Sequence, residues 1–148
     1  MNLNQVTVPS RDVPRSIAFY RKLGMKLIVE ALPDYARFEL PEGNATFSIH
    51  RVDSLPEGAG VWVYFESDRL DAWVAELQEA GICFDQEPED QRWLWREARL
   101  RDPDGNMVAI DGATCGDDGQ IVYTTPIGSL AGDYCVRVLR GAGDEAAY

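Results

Sequence analysis

The feature that most limits what this chain can fold into is a repeat of pattern rather than of identity. A strand, a capped helix and a tight turn occur in one order and then occur again. Residues 2–9 alternate, with Val6 and Val8 on one side and Gln5 and Thr7 on the other, the period of a half-buried strand. A helix follows: Ser10 and Asp12 offer side-chain oxygens to its first amides, Pro14 suits its first turn, and Val13, Ile17, Tyr20 and Leu23 recur at helical spacing before a stop at Gly24. Strands are expected over 26–31, 35–40 and 45–52, parted by Leu32-Pro33-Asp34 and Pro41-Glu42-Gly43-Asn44. After a linker around 54–58 the order restarts. Residues 61–66 alternate, with Val63 and Phe65 opposite Trp62 and Tyr64, and a helix runs from Ser67 or Asp68 through Leu70, Val74 and Leu77 to Gly81. Strands are expected over 82–86, 93–100 and 107–111, the last introduced by Pro103-Asp104-Gly105-Asn106, a near copy of the earlier turn. Gly24 and Gly81 lie 57 residues apart, and the same shift carries Gln5 onto Trp62, Val13 onto Leu70 and Ile17 onto Val74. Two copies of one unit place a small-molecule site in the cleft they form together.

Length and charge narrow the function classes. At 148 residues the chain suits one domain with a sizeable core and leaves no room for a second full domain. A net charge of -11 repels a phosphate backbone and an anionic membrane surface, so nucleic acid and membranes are excluded as partners. No apolar run approaches the roughly 20 residues needed to cross a bilayer, and the first ten residues lack a basic start followed by an apolar core, which leads to an expected cytoplasmic location. Cys83, Cys115 and Cys135 are odd in number and widely spaced, which argues against a disulfide framework and a thiolate zinc site. Residues 112–119 lack the strand-to-helix context and the lysine of a phosphate loop, and no nucleophilic triad assembles.

Particular stretches carry a resemblance. Val6-Thr7-Val8-Pro9-Ser10-Arg11-Asp12, running into Ser16-Ile17-Ala18-Phe19-Tyr20 and Leu23-Gly24, resembles the opening of vicinal-oxygen-chelate proteins: the glyoxalase, bleomycin-resistance and extradiol-dioxygenase superfamily. Trp95-Arg96-Glu97 followed by Leu100 to Asn106 is similar to the last-strand signature of the same proteins. The resemblance covers residues 1 to about 112 and implies an α+β fold of two βαβββ modules, about 1–53 and 60–112, with curved mixed sheets around a shared cleft and helices outside. Residues 113–148 form a C-terminal extension of open role, with short strands expected over 120–125 and 133–139 and a disordered end over 141–148.

The resemblance also implies where a metal would sit, on four side chains that are usually His, Glu or Gln. The first falls on Gln5, the third on Trp62 and the fourth on Ala109. For the second, matching the turns gives Phe47 and matching the apolar faces gives Ser48; the faces decide, because a one-residue slip turns the apolar side outward. Tryptophan and alanine cannot bind a divalent ion, and serine and a neutral amide are poor substitutes for anionic or imidazole donors, so no cofactor is expected. The alternative is a displaced divalent-metal site made from Gln5, His50 and Asp111, with His50 also a candidate acid or base. The ligand-binding set expected on the cleft faces is Gln5, Thr7, Ser48, His50, Trp62, Tyr64, Met107, Ala109 and Asp111, with Trp93 or Trp95 joining from the neighbouring strand. Trp73 reads as core or interface, and Arg96, Glu97 and Arg99 as an ion-paired strand face. The expected function is sequestration of a small aromatic or cationic ligand without metal, as in bleomycin-resistance proteins; the alternative is a lyase, isomerase or dioxygenase with a remodelled metal site. A homodimer is compatible with either.

Overall fold

Both helices begin and end close to where the sequence places them. In a computed structural model, described for residues 3–58, 60–92 and 95–112, the Asp12 carboxylate accepts the Arg15 amide at 3.1 Å and opens α1 (Val13–Lys22), which stops before Gly24 at φ 83°. Helix α2 (Leu70–Glu79) differs at its start: Arg69 holds the cap position and makes no side-chain cap bond. Ser67 lies two residues earlier, where its amide donates to the Asp111 carbonyl at 2.8 Å and its hydroxyl accepts the Arg69 amide at 3.2 Å.

The strands are β1 (Gln5–Ser10), β2 (Lys26–Ala31), β3 (Tyr35–Glu39), β4 (Thr46–Arg51), β5 (Trp62–Glu66), β6 (Phe84–Asp90), β7 (Arg96–Arg101) and β8 (Met107–Gly112). They form two four-stranded sheets in the orders β1-β4-β3-β2 and β5-β8-β7-β6. In each sheet the first and last strands of the module run parallel and the remaining pairs are antiparallel. One topology is thus written twice, an α+β fold of two βαβββ modules. The strands expected beyond residue 112 lie outside the described residues.

One face of each sheet meets its helix. Val8, Phe38, Phe47 and Ile49 pack with Val13, Ile17 and Tyr20; Leu100, Val108 and Ile110 pack with Leu70, Val74 and Leu77. Burying each of the larger side chains stabilises the fold by roughly 1.5–3 kcal/mol. Phe47 and Phe65, edge-on at 5.8 Å, connect the two sets into one core, and Trp73 packs against it half-buried.

A second link between modules is polar. The buried Asp102 accepts the Tyr20 hydroxyl at 2.7 Å, the Asn106 side-chain amide at 2.7 Å, and the backbone amides of Asp104 and Asn106 at 2.9 and 2.8 Å. Asn106 also donates to the Pro9 carbonyl at 2.9 Å, and Asp104 accepts the Arg11 amide at 3.0 Å and the Ser16 hydroxyl at 3.1 Å. Burial first, and the Asp102 charge second, push the Tyr20 hydroxyl far up, so it stays protonated and donates.

Candidate functional site

The sheet faces turned away from the helices carry the residues singled out in the sequence. On the first sheet, the Gln5 side-chain amide donates to Thr7 Oγ1 at 3.0 Å, Tyr35 Oη at 3.2 Å and Ser48 Oγ at 2.7 Å, and the Thr7 and Ser48 hydroxyls are 2.7 Å apart. Ser48, and not the core residue Phe47, therefore shares the face of Gln5. Beside this network Arg37 donates from Nε to Thr46 Oγ1 at 2.9 Å. His50 lies exposed at the far end, its ring 6.3 Å from that of Tyr35.

The second face is built from different chemistry on the same frame. Its rungs run Trp62–Met107–Arg101, Tyr64–Ala109–Arg99 and Glu66–Asp111–Glu97, and Glu89 of β6 extends the last. The Trp62 and Tyr64 rings stack with centroids 6.4 Å apart and are 37% and 49% exposed. The small side chain of Ala109 lets Arg99 reach across β8 until its guanidinium lies 5.2 Å from the Trp62 ring centroid, a cation–π contact. Arg99 also donates to the Glu97 carboxylate at 3.1 Å.

Electrostatics concentrate on the acidic rung. Glu97 is 2% exposed and Asp111 is 3% exposed. Burial, with smaller additions from the charges of Glu97 and Glu66, pushes the Asp111 carboxyl up to about 6, against a partial opposing effect of a backbone hydrogen bond. Among the described residues, Asp111 Oδ1 and Arg99 Nε are buried without a hydrogen-bond partner. The rung ends with unspent hydrogen-bonding capacity.

These positions also test the metal expectations. Gln5 pairs with Thr46, four residues before His50, which separates Gln5 from His50 by roughly 13 Å along the strand. The set Gln5, His50 and Asp111 is not brought together, and no group of three or more His, Cys, Asp and Glu among the described residues is arranged to hold a metal ion. At the four superfamily positions, the Gln5 amide nitrogen faces three hydroxyls, Ser48 is tied into the same network, and Trp62 and Ala109 supply no ligating atom. The residues present do not fit a divalent cation there.

The expected aromatic wall draws on strands that are not adjacent. Strand β7 is not the neighbour of β5, because β8 lies between them. Trp95, 40% exposed, precedes β7 and stands six residues from Arg101 on the rung of Trp62, roughly 20 Å away along the strand. Trp93 lies outside the described residues. Tyr35, Glu97 and Arg99 belong to the two faces although sequence reasoning did not place them there; strict alternation supplied a signal, since it sends Glu97 and Arg99 to one side and Arg96 to the other, where Arg96 binds Asp71 and Asp90.

Two βαβββ modules define the class of fold, and the sequence family is specific. The chain belongs to the glyoxalase/bleomycin resistance protein/dioxygenase superfamily, whose family model matches residues 2–110. Similar solved structures include a glyoxalase/bleomycin resistance protein/dioxygenase from Nocardioides, 23% identical with a TM-score of 0.66, covering 82% of this chain and 90% of that one. A family enzyme from Burkholderia phytofirmans is 21% identical with a TM-score of 0.65, covering 76% and 98%. Lactoylglutathione lyase from Agrobacterium tumefaciens is 18% identical with a TM-score of 0.63, covering 75% and 92%. At these identities the likeness shows the fold. A search of curated proteins finds no significant match.

Proposed function

We propose that this chain is a metal-independent small-molecule-binding protein that takes up an aromatic or cationic guest on the cleft side of its modules, against Trp62 and Tyr64. The observation that carries the reading is the pair of stacked, solvent-reachable rings set beside the buried carboxylates of Glu97 and Asp111. Flat rings attract planar guests by stacking and cations by the ring quadrupole, at roughly 0.5–2 kcal/mol per contact. The net charge of -11 adds a long-range field that favours cations. The donor set at the superfamily metal positions supports the metal-independent part of the reading.

Aromatic cations are expected to quench tryptophan fluorescence saturably and to bind more weakly as salt shortens the Debye length to about 8 Å. Trp62→Ala lowers affinity by roughly 1–2 kcal/mol, about five- to thirtyfold, while Trp73→Ala, on α2, leaves it unchanged. Equal effects of the two substitutions, or a preference for anions, count against the proposal. Stoichiometric metal in protein purified without chelator, lost on His50→Ala, turns the assignment to a metal-dependent lyase, isomerase or dioxygenase.

A further inference from the structure

We infer that Asp111 is the anchor of this face and that its ligands are aromatic compounds bearing a protonated amine on a short tether, the ring lying on Trp62 and Tyr64 and the ammonium donating to Asp111 Oδ1. The inference rests on the binding reading above and names the ligand class and its point of attachment.

Three observations converge on it. Asp111 Oδ1 is a buried acceptor without a partner among the described residues, on a residue 3% exposed. It sits directly between Glu66 and Glu97, where like charges face each other across adjacent strands and oppose one another. Of the cations on the same face, Arg101 pairs with Asp85 and Arg99 points its terminal nitrogen at Glu97 and its guanidinium at the Trp62 ring, leaving only Arg99 Nε without a partner among the described residues. An ammonium supplies both missing items, a donor for Oδ1 and a positive charge for the rung. A hydroxyl supplies only the first, and a carboxylate adds to the repulsion. Spacing sets the tether: Tyr64 pairs with Ala109, two residues before Asp111, so a ring on Tyr64 lies roughly 6–7 Å from the anchor, the reach of two or three carbons.

The groups facing Asp111 are Glu66 and Tyr64 from β5 and Glu97 and Arg99 from β7, with Glu89 of β6 beyond Glu97. Helix α2 lies on the opposite face, where the Asp71–Arg96 pair is found and where Gly112 adjoins Leu70. Without ligand the Asp111 carboxyl titrates near 6. A bound cation favours the carboxylate and lowers that value, so affinity is fully present above about pH 7 and is lost as pH falls through 6, by roughly tenfold between pH 7 and pH 5.

The test is calorimetric titration of the full chain with phenethylamine and with its uncharged counterpart phenethyl alcohol, at pH 5.5 and 7.5, in two buffers of different ionisation enthalpy. Phenethylamine is expected to bind at least tenfold tighter than the alcohol and to release a proton at the lower pH. Asp111→Asn removes the preference and the pH dependence, yet raises the thermal midpoint at pH 7.5, a combination that a merely structural residue does not give. Binding that responds to Trp62→Ala but keeps its ammonium preference in Asp111→Asn overturns the anchor alone. No saturable binding of either probe, or of larger aromatic cations, overturns the anchor together with the binding reading.

Discussion

The two modules share one backbone plan and spend their polar atoms in opposite ways. On the first face, Gln5, Thr7, Tyr35 and Ser48 bond to each other, and Arg37 bonds to Thr46, so the network is closed on itself. On the second, Asp111 Oδ1 and Arg99 Nε remain without partners among the described residues. The turns diverge in the reverse sense. Residues 41–44 are exposed, whereas residues 103–106 carry the clasp to α1, and the sequence difference behind this is Asp102 where the first module has Leu40. The modules thus share a topology but divide their polar bonding: the second holds the first by its turn and leaves buried polar atoms on its sheet face without partners among the described residues.

The largest expected effect tests the turns. Asp102→Ala removes a buried acceptor serving four donors, and with charged hydrogen bonds contributing about 1.5–3 kcal/mol each before relaxation, a loss of roughly 3–5 kcal/mol is expected in urea unfolding. Asn44→Ala, in the matching turn of the first module, changes stability by less than about 0.5 kcal/mol. Similar losses from both break the contrast between the turns. A second test concerns the open face. A carboxyl with a raised folded-state value favours the fold below its ordinary range near 4 and loses that contribution as pH rises through 6. Asp111→Asn is therefore expected to be roughly 1–3 kcal/mol more stable than the parent at pH 8 and no more stable at pH 3.5. A pH-independent difference in thermal unfolding contradicts the assigned environment. The smallest effect belongs to the closed face: Gln5→Ala leaves hydroxyls that can bond to one another and to water, so it costs about 1 kcal/mol or less and leaves aromatic-cation affinity within twofold. A large loss of affinity moves the site toward the first module.

Much of this was legible in the sequence because strand period and helix period are local. Val6 and Val8 against Gln5 and Thr7 fix which side of β1 meets the helix, and the shift from Gln5 to Trp62 transfers that assignment to β5. What was not legible depends on contacts between distant residues. Tyr20 reads as an apolar helix position, and its hydroxyl has a purpose only when Asp102, 82 residues away, is brought beneath it. Glu97 looks like a surface charge until β8 pairs it with Asp111 and burial raises the stakes of that meeting. The separation of Trp95 from Trp62 was not legible for a topological reason: the order β5-β8-β7-β6 is not the order of the chain.

The irregular pairing in β2 and β6 has a consequence for how this protein behaves in a crowd. Among the described residues each forms one edge of its sheet, opposite β1 and β5, and each breaks register with its neighbour, β2 between Leu27 and Val29 and β6 between Phe84 and Gln86 and again between Gln86 and Glu89. Pro88 removes an amide from β6 as well. A border with kinks and a missing donor is a poor template for another molecule's backbone, so these rims resist the edge-to-edge growth by which exposed strands aggregate.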